Sequence, residues 1–223
     1  NDSAKFLSFQ EKGLSKSRNK AIASSTADIC LIADDDMYYS KDFKNTVLSG
    51  FDKYEDADII AFLVTYDNGK RKGELSEGRV GLLKSLKLSS VQLAFKRESI
   101  VQKDIRFDEN FGAGAKYYMG EENIFLAECI KKGLKVYFVP KVIAGLREGE
   151  SSWFKGHDKY NFNVRGRTFA RISPLLGVMM SIRFAIAKRA TFKEEVSPRK
   201  ALAYMLQGYF AELISSHRKR GGR

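Results

Sequence analysis

Apolar and polar positions change period repeatedly along the first two thirds of the chain, and each change marks an element. A strand-like run over Ala4 to Phe9 leads through Gly13 into a helical pattern from about Ser15 to Ser25, with Leu14, Ala21 and Ile22 on its apolar side. A continuous apolar run, Ile29 to Ala33, predicts a buried strand; Lys41 to Lys53 reads as a helix and Asp58 to Val64 as a further strand. This βα alternation predicts an α/β fold with a parallel-type sheet. The polar stretch Asp67 to Gly78, with Gly69, Gly73 and Gly78, reads as a hairpin or flexible loop. Beyond it, Val91 to Lys96 is strand-like and Phe107 to Met119 a long loop rich in glycine and aromatics. A helix follows from near Gly120 to about Lys132, capped by Gly133, and then a strand, Leu134 to Val139, stopped by Pro140.

The last third has another character. After Ser151 to His157 come a mostly apolar stretch, Ile172 to Ala187, and an amphipathic one, Ala201 to Ile214, before the basic end His217 to Arg223. The division expected is a core over 1–150 and a helical, basic appendage over 151–223. Charge supports it: residues 1–150 carry 24 basic and 23 acidic side chains, residues 151–223 carry 15 and 4, so +11 of the net +12 lies in the appendage. Such an excess calls for an anionic partner: a membrane surface, nucleic acid or a phosphorylated substrate. Apolar faces with basic ends suit an anionic bilayer, the alternative being helices packed on the α/β core with a solvated tail. No recognition motif supports nucleic acid.

A length of 223 residues with 43% hydrophobic composition suffices for a real core. Cys30 and Cys129 sit among apolar neighbours without metal or disulfide spacing, as small core residues in a reducing compartment do. No run reaches the roughly 20 apolar residues of a spanning helix. A cytoplasmic protein, peripheral at the inner face of a membrane, is the setting expected.

Chemistry concentrates at two places. Asp34, Asp35 and Asp36 follow directly on the apolar strand, and carboxylates that repel one another persist where a cation compensates them. An Asp-rich turn or helix N-cap needs only one such residue. In open α/β sheets ligands collect beyond the carboxyl ends of strands, which is where these three fall. The second place is the helix start Glu121-Glu122. Glu121 is explained by the helix dipole, whereas Glu122 shares a face with Phe125, Leu126 and Cys129, and a carboxylate on an inward face costs desolvation unless it is used. No phosphate-binding loop or dinucleotide fingerprint occurs, and His157 and His217 are too far apart to suggest zinc.

The order of these landmarks carries a resemblance. Gly13 to Ile22 with Arg18 and Asn19, Ala27 to Asp36 with its aspartates, Phe111-Gly112-Ala113-Gly114, Gly120 to Asn123 and Gly133 to Pro140 together resemble the family 2 glycosyltransferases of the GT-A fold, over residues from about 4 to 145. The resemblance implies a mixed, Rossmann-like sheet flanked by helices. It also implies that Asp34, Asp35 and Asp36 bind Mn²⁺ or Mg²⁺ and the donor, with the frame left open: Asp34 with Asp36, or Asp35 alone, as metal ligand. By the same resemblance Glu122, beside Glu121, is the general base of an inverting transfer, and Arg18 and Asn19 lie beside the nucleotide. The family's usual first β-α-β unit, which grips base and ribose, has no match in this sequence, so the expectation is either a longer transferase in which another segment supplies that half or an inactive polypeptide.

The function expected is therefore metal-dependent, inverting transfer of a sugar from a nucleotide-sugar donor, a UDP-sugar first of all, to a hydroxyl of a glycan or lipid-linked acceptor in bacterial surface polysaccharide or glycolipid assembly. The alternatives are a metal-dependent nucleotidyl or phosphoryl transferase, and a non-catalytic module that binds nucleic acid or membrane.

Overall fold

The strand Ile59–Tyr66 is the axis of the molecule, because its first six residues are buried on both faces. Ile59, Ala61 and Leu63 enter one apolar cluster with Phe95, Phe107, Phe125 and Phe138, while Ile60, Phe62 and Val64 enter another with Val47, Phe51, Ile143 and Leu146. That alternation is what a strand with period two and both faces covered must show. The computed structural model describes residues 6–147 and 156–221, without the side chains from 217 onward.

In chain order the elements are α1 (Leu14–Ser24), β1 (Ile29–Leu31), β2 (Met37–Tyr39), α2 (Phe43–Lys53), β3 (Ile59–Tyr66), β4 (Arg71–Lys72), β5 (Gly78–Arg79), α3 (Leu82–Ser85), a 3₁₀ turn (Ser90–Gln92), β6 (Leu93–Lys96) and α4 (Arg97–Gln102). They continue with α5 (Glu121–Lys131), β7 (Val136–Leu146), α6 (Lys159–Ile172), α7 (Gly177–Ala187) and α8 (Pro198–Gly221). The sheet runs β1-β6-β3-β7-β2, with β4 on β3 and β5 on β7.

Among the named strands of the described residues only β3 and β7 pair in parallel, and β6 lies antiparallel between β1 and β3. The sheet is thus mixed, as the family resemblance implies, and not the parallel type that βα alternation alone predicts. The alternation does give β1, β3 and β7 a common direction; a strand inserted between two of them escapes a rule about successive elements.

Three local expectations are corrected. Phe6 to Phe9 is irregular and exposed, with the Phe9 ring against the Lys20 ammonium at 4.0 Å, so the strand expected over Ala4 to Phe9 does not form in its described part; residues 4 and 5 lie outside it. Pro140 does not end the last strand. The register of β7 against β3 slips from Val139 to Val142, leaving Pro140 in an irregularity where its missing N–H is tolerated. Helix α6, which the hydrophobic pattern does not announce, is capped by Asp158, whose Oδ1 accepts from the Asn161 N–H at 2.7 Å.

The helices of the last third close the molecule. Phe162, Phe169, Ile172, Met180, Ala185, Phe192, Ala201 and Met205 form a third cluster with Phe111, Ile124 and Ala127 of the core. Helices α6 and α8 touch through glycines: a Cβ on Gly166 would lie 1.8 Å from the Met205 carbonyl oxygen, and one on Gly208 2.0 Å from that of Asn163. The buried faces of these helices therefore follow the packed alternative. Residues 148–155 and the side chains of the basic end lie outside the described residues.

Candidate active site

Arg18 on α1 organises the site. Its guanidinium donates to Glu121 Oε1 at 3.0 Å, Asp34 Oδ1 at 3.2 Å and Ser90 Oγ at 2.9 Å, and lies 5.5 Å from the centre of the Phe107 ring. A planar fork with fixed donors suits three acceptors arriving from three elements. The pair with Glu121 is buried, whereas Asp34 is open to solvent.

Glu121 and Glu122 begin α5, where the helix dipole favours carboxylates. Gly120 precedes them at φ 94°, and a Cβ there would lie 2.5 Å from Thr168 of α6, so the turn needs glycine on two counts. Burial, then the neighbouring Glu121 charge, pushes the Glu122 carboxyl up to about 8, with Arg18 opposing. On α6, Arg165 lies over the Phe184 ring at 4.2 Å, and its Nη2 meets Met119 Sδ at 3.7 Å. Its Nε is buried without a hydrogen-bond partner. Burial pulls this guanidinium down to about 10, while Tyr118 and Glu122 act in the opposite sense.

Arg18 and the two glutamates face a cavity of about 820 Å³, open to solvent, whose wall does not include Arg165. Arg18, Asp34, Asp36, Ser90, Glu121 and Glu122 line it, with Tyr118 and Met119 beside the carboxylates and Lys70, Lys72 and Arg147 also on its walls. Among the described residues none of those last three cations is in an ion pair. Gln92 fixes part of this wall by donating to the Phe62 and Lys72 carbonyl oxygens at 2.8 and 2.9 Å.

Five of the seven residues singled out from sequence thus meet at one cavity: Arg18, Asp34, Asp36, Glu121 and Glu122. Asp35 is exposed and not on its wall. Asn19 braces the loop, its amide donating to the Phe107 carbonyl oxygen at 3.0 Å and accepting from the Phe107 N–H at 2.8 Å. Sequence reasoning missed Ser90, Arg165 and the cations. The run Lys70-Arg71-Lys72 was the available signal, and the polar character of its loop concealed it.

Hard divalent cations need one or two carboxylates when substrate phosphates complete the sphere. Asp34 and Asp36 offer that much, although Arg18 already takes one oxygen of Asp34. Among the described residues no group of three His, Cys, Asp or Glu side chains is placed to hold a metal. The donor set fits a cation completed by phosphate, not a cage made by protein alone.

The sequence model of glycosyl transferase family 2 matches residues 1–120, over half of the chain. Among solved structures, S. aureus TarS 1–349 in complex with UDP-GlcNAc superposes with a TM-score of 0.60 at 15% identity, covering 82% of this chain and 55% of that one. TarS 1–349 without that ligand gives 0.61 at 15% identity, covering 88% and 60%. The TarS 1–349 complex with UDP gives 0.60 at 16%, again covering 88% and 60%. The described fold is therefore the GT-A fold of those structures, and the chain spans little more than half of their length. Among curated proteins no sequence matches.

Proposed function

The chain belongs to glycosyl transferase family 2, and from that premise we propose that it transfers a sugar from a UDP-sugar to an acceptor hydroxyl with inversion. The observation that carries this reading is the one cavity in which the two carboxylates of the α5 start meet Asp34, Asp36 and the cations Lys70, Lys72 and Arg147. TarS bound to UDP-GlcNAc and to UDP supports the choice of nucleotide.

The cations and the Asp34–Asp36 turn receive the diphosphate. Asp36, with Asp34, would hold Mn²⁺ or Mg²⁺, whose chemistry is to offset charge on the leaving nucleoside diphosphate. Glu122 takes the proton of the acceptor hydroxyl as its oxygen attacks the anomeric carbon from the face opposite the diphosphate. The bond from that carbon to the diphosphate oxygen breaks, UDP leaves, and the proton stays on Glu122. A carboxylate whose proton is held up to about 8 is a stronger base than an ordinary one. Arg18 fixes Glu121, which holds the start of α5 against the turn that carries Asp34.

The acceptor class we assign is a glycan or lipid-linked glycan of bacterial surface assembly, met at the cytoplasmic face of the membrane; the charge of the last third supports this. The test is incubation with UDP-GlcNAc, Mn²⁺ and candidate acceptors. UDP and a glycosylated product are expected, and pyrophosphate release from free nucleotide would favour nucleotidyl transfer instead.

A further inference from the structure

We infer that helix α7 is a membrane-surface contact, lying in the plane of an anionic bilayer with one face immersed. The helix has two apolar faces where packing needs only one. Gly177, Met180, Ser181 and Ala185 are buried against the rest of the protein. On the opposite side Leu175 just before the helix, Met179, Ile182 and Ile186 recur at spacings of four, three and four, and all are exposed, Leu175 by 93% and Ile186 by 63%. With 3.6 residues per turn these four fall on a single stripe. Scattered surface hydrophobics are ordinary, but a stripe over three turns marks a contact.

Charge selects the occupant. From Ile172 to Lys193 the chain carries Arg183, Lys188, Arg189 and Lys193 and no acidic residue; Glu194 and Glu195 follow, and Lys193 pairs with Glu194 at 3.5 Å, so the first three carry the excess. All four are exposed, and Arg183 is on the helix itself, next to the stripe. An apolar stripe with basic side chains at its edge and end is the composition of an interfacial helix: methylenes enter the acyl boundary while cations stay among anionic headgroups. Among the described residues no helix is long and apolar enough to cross a membrane. The contact belongs to α7, so it does not depend on the basic run at the chain's end, and it goes beyond the reading of the cavity.

The experiment is co-sedimentation of the whole chain with vesicles of phosphatidylcholine alone or rich in phosphatidylglycerol, using wild type and the double variant Leu175→Glu/Ile186→Glu. Both positions are solvent-exposed, so the variant should keep its circular dichroism and its binding of UDP. Wild type is expected on the anionic vesicles, less so at high salt, and the variant should bind them at least about tenfold more weakly, since two apolar side chains no longer enter the acyl boundary and two negative charges face the headgroups. Equal binding by the two proteins would overturn the inference. So would equal binding to both vesicle types, or a wild-type dimer in sedimentation velocity that the variant abolishes, which would give the stripe to a second copy. Loss of UDP binding in both proteins would count against the donor reading and leave the vesicle result standing.

Discussion

Arg18 and Glu121, 103 positions apart in sequence, form an ion pair of 3.0 Å in which each side chain is only 9% exposed. Two charges so far removed from water are held by their mutual geometry, and the second guanidinium nitrogen is used as well, by Ser90 and Asp34. The pair joins the first helix of the core to the start of α5.

Removing Arg18 leaves Glu121 buried and unpaired, so Arg18→Met should destabilise the protein by about 3–5 kcal/mol. Urea unfolding measures it. In the double variant Arg18→Met/Glu121→Gln the losses should add to much less than their sum, because the neutral amide no longer needs a counter-charge. Strict additivity would show that the two side chains do not interact in solution.

Glu122→Gln should lower turnover by about 10²-fold or more while UDP affinity is retained, as for the loss of a general base. Glu121→Gln should act mainly on stability. The reverse pattern in steady-state kinetics would move the base to Glu121.

Because the Glu122 carboxyl is held up to about 8, kcat/KM should rise with pH and level off near that value. The stability linkage has the opposite slope. A carboxyl whose folded pKa exceeds its unfolded value near 4.5 favours the folded state fully below that value, and this contribution is lost as pH rises through about 8. Arg165→Met removes a positive charge that interacts with Glu122, so the Glu122 carboxyl should move further up, and Arg165→Lys should restore it in part. Carbon-13 NMR titration of the glutamate carboxyls reads this without any turnover; an unchanged titration in Arg165→Met would contradict it.

Binding of UDP should depend on Mn²⁺ or Mg²⁺ and weaken strongly in Asp36→Asn, less in Asp34→Asn, whose carboxylate Arg18 shares, and least in Asp35→Asn, which is off the cavity wall. Calorimetry with and without EDTA checks the order. Equal affinity in EDTA would remove the cation from the reading.

Gly166→Ala and Gly208→Ala each place a methyl against backbone of the facing helix, where no side chain can yield. Each should cost about 1–3 kcal/mol or more by overpacking. A melting temperature equal to that of wild type would mean that α6 and α8 are not in this contact.

The sequence by itself determined the elements whose signals are local. Apolar period placed β3, α2 and α5, Gly133 closed α5, and the aspartates and the acidic helix start marked residues that line the cavity, because period, capping and charge act between neighbours. Tertiary structure alone decided which strands are adjacent, since β6 enters between β1 and β3 from far along the chain. It let β7 continue through Pro140, because β7 itself bulges there against an unbroken β3. It divided three consecutive aspartates between cavity and solvent, and it turned Asn19 from the site to a backbone clamp. It also gave α7 a packed face and an exposed one, a difference that a mostly apolar run does not announce. These outcomes depend on which distant surface arrives to pair, bury or neutralise a group, and no local pattern encodes that.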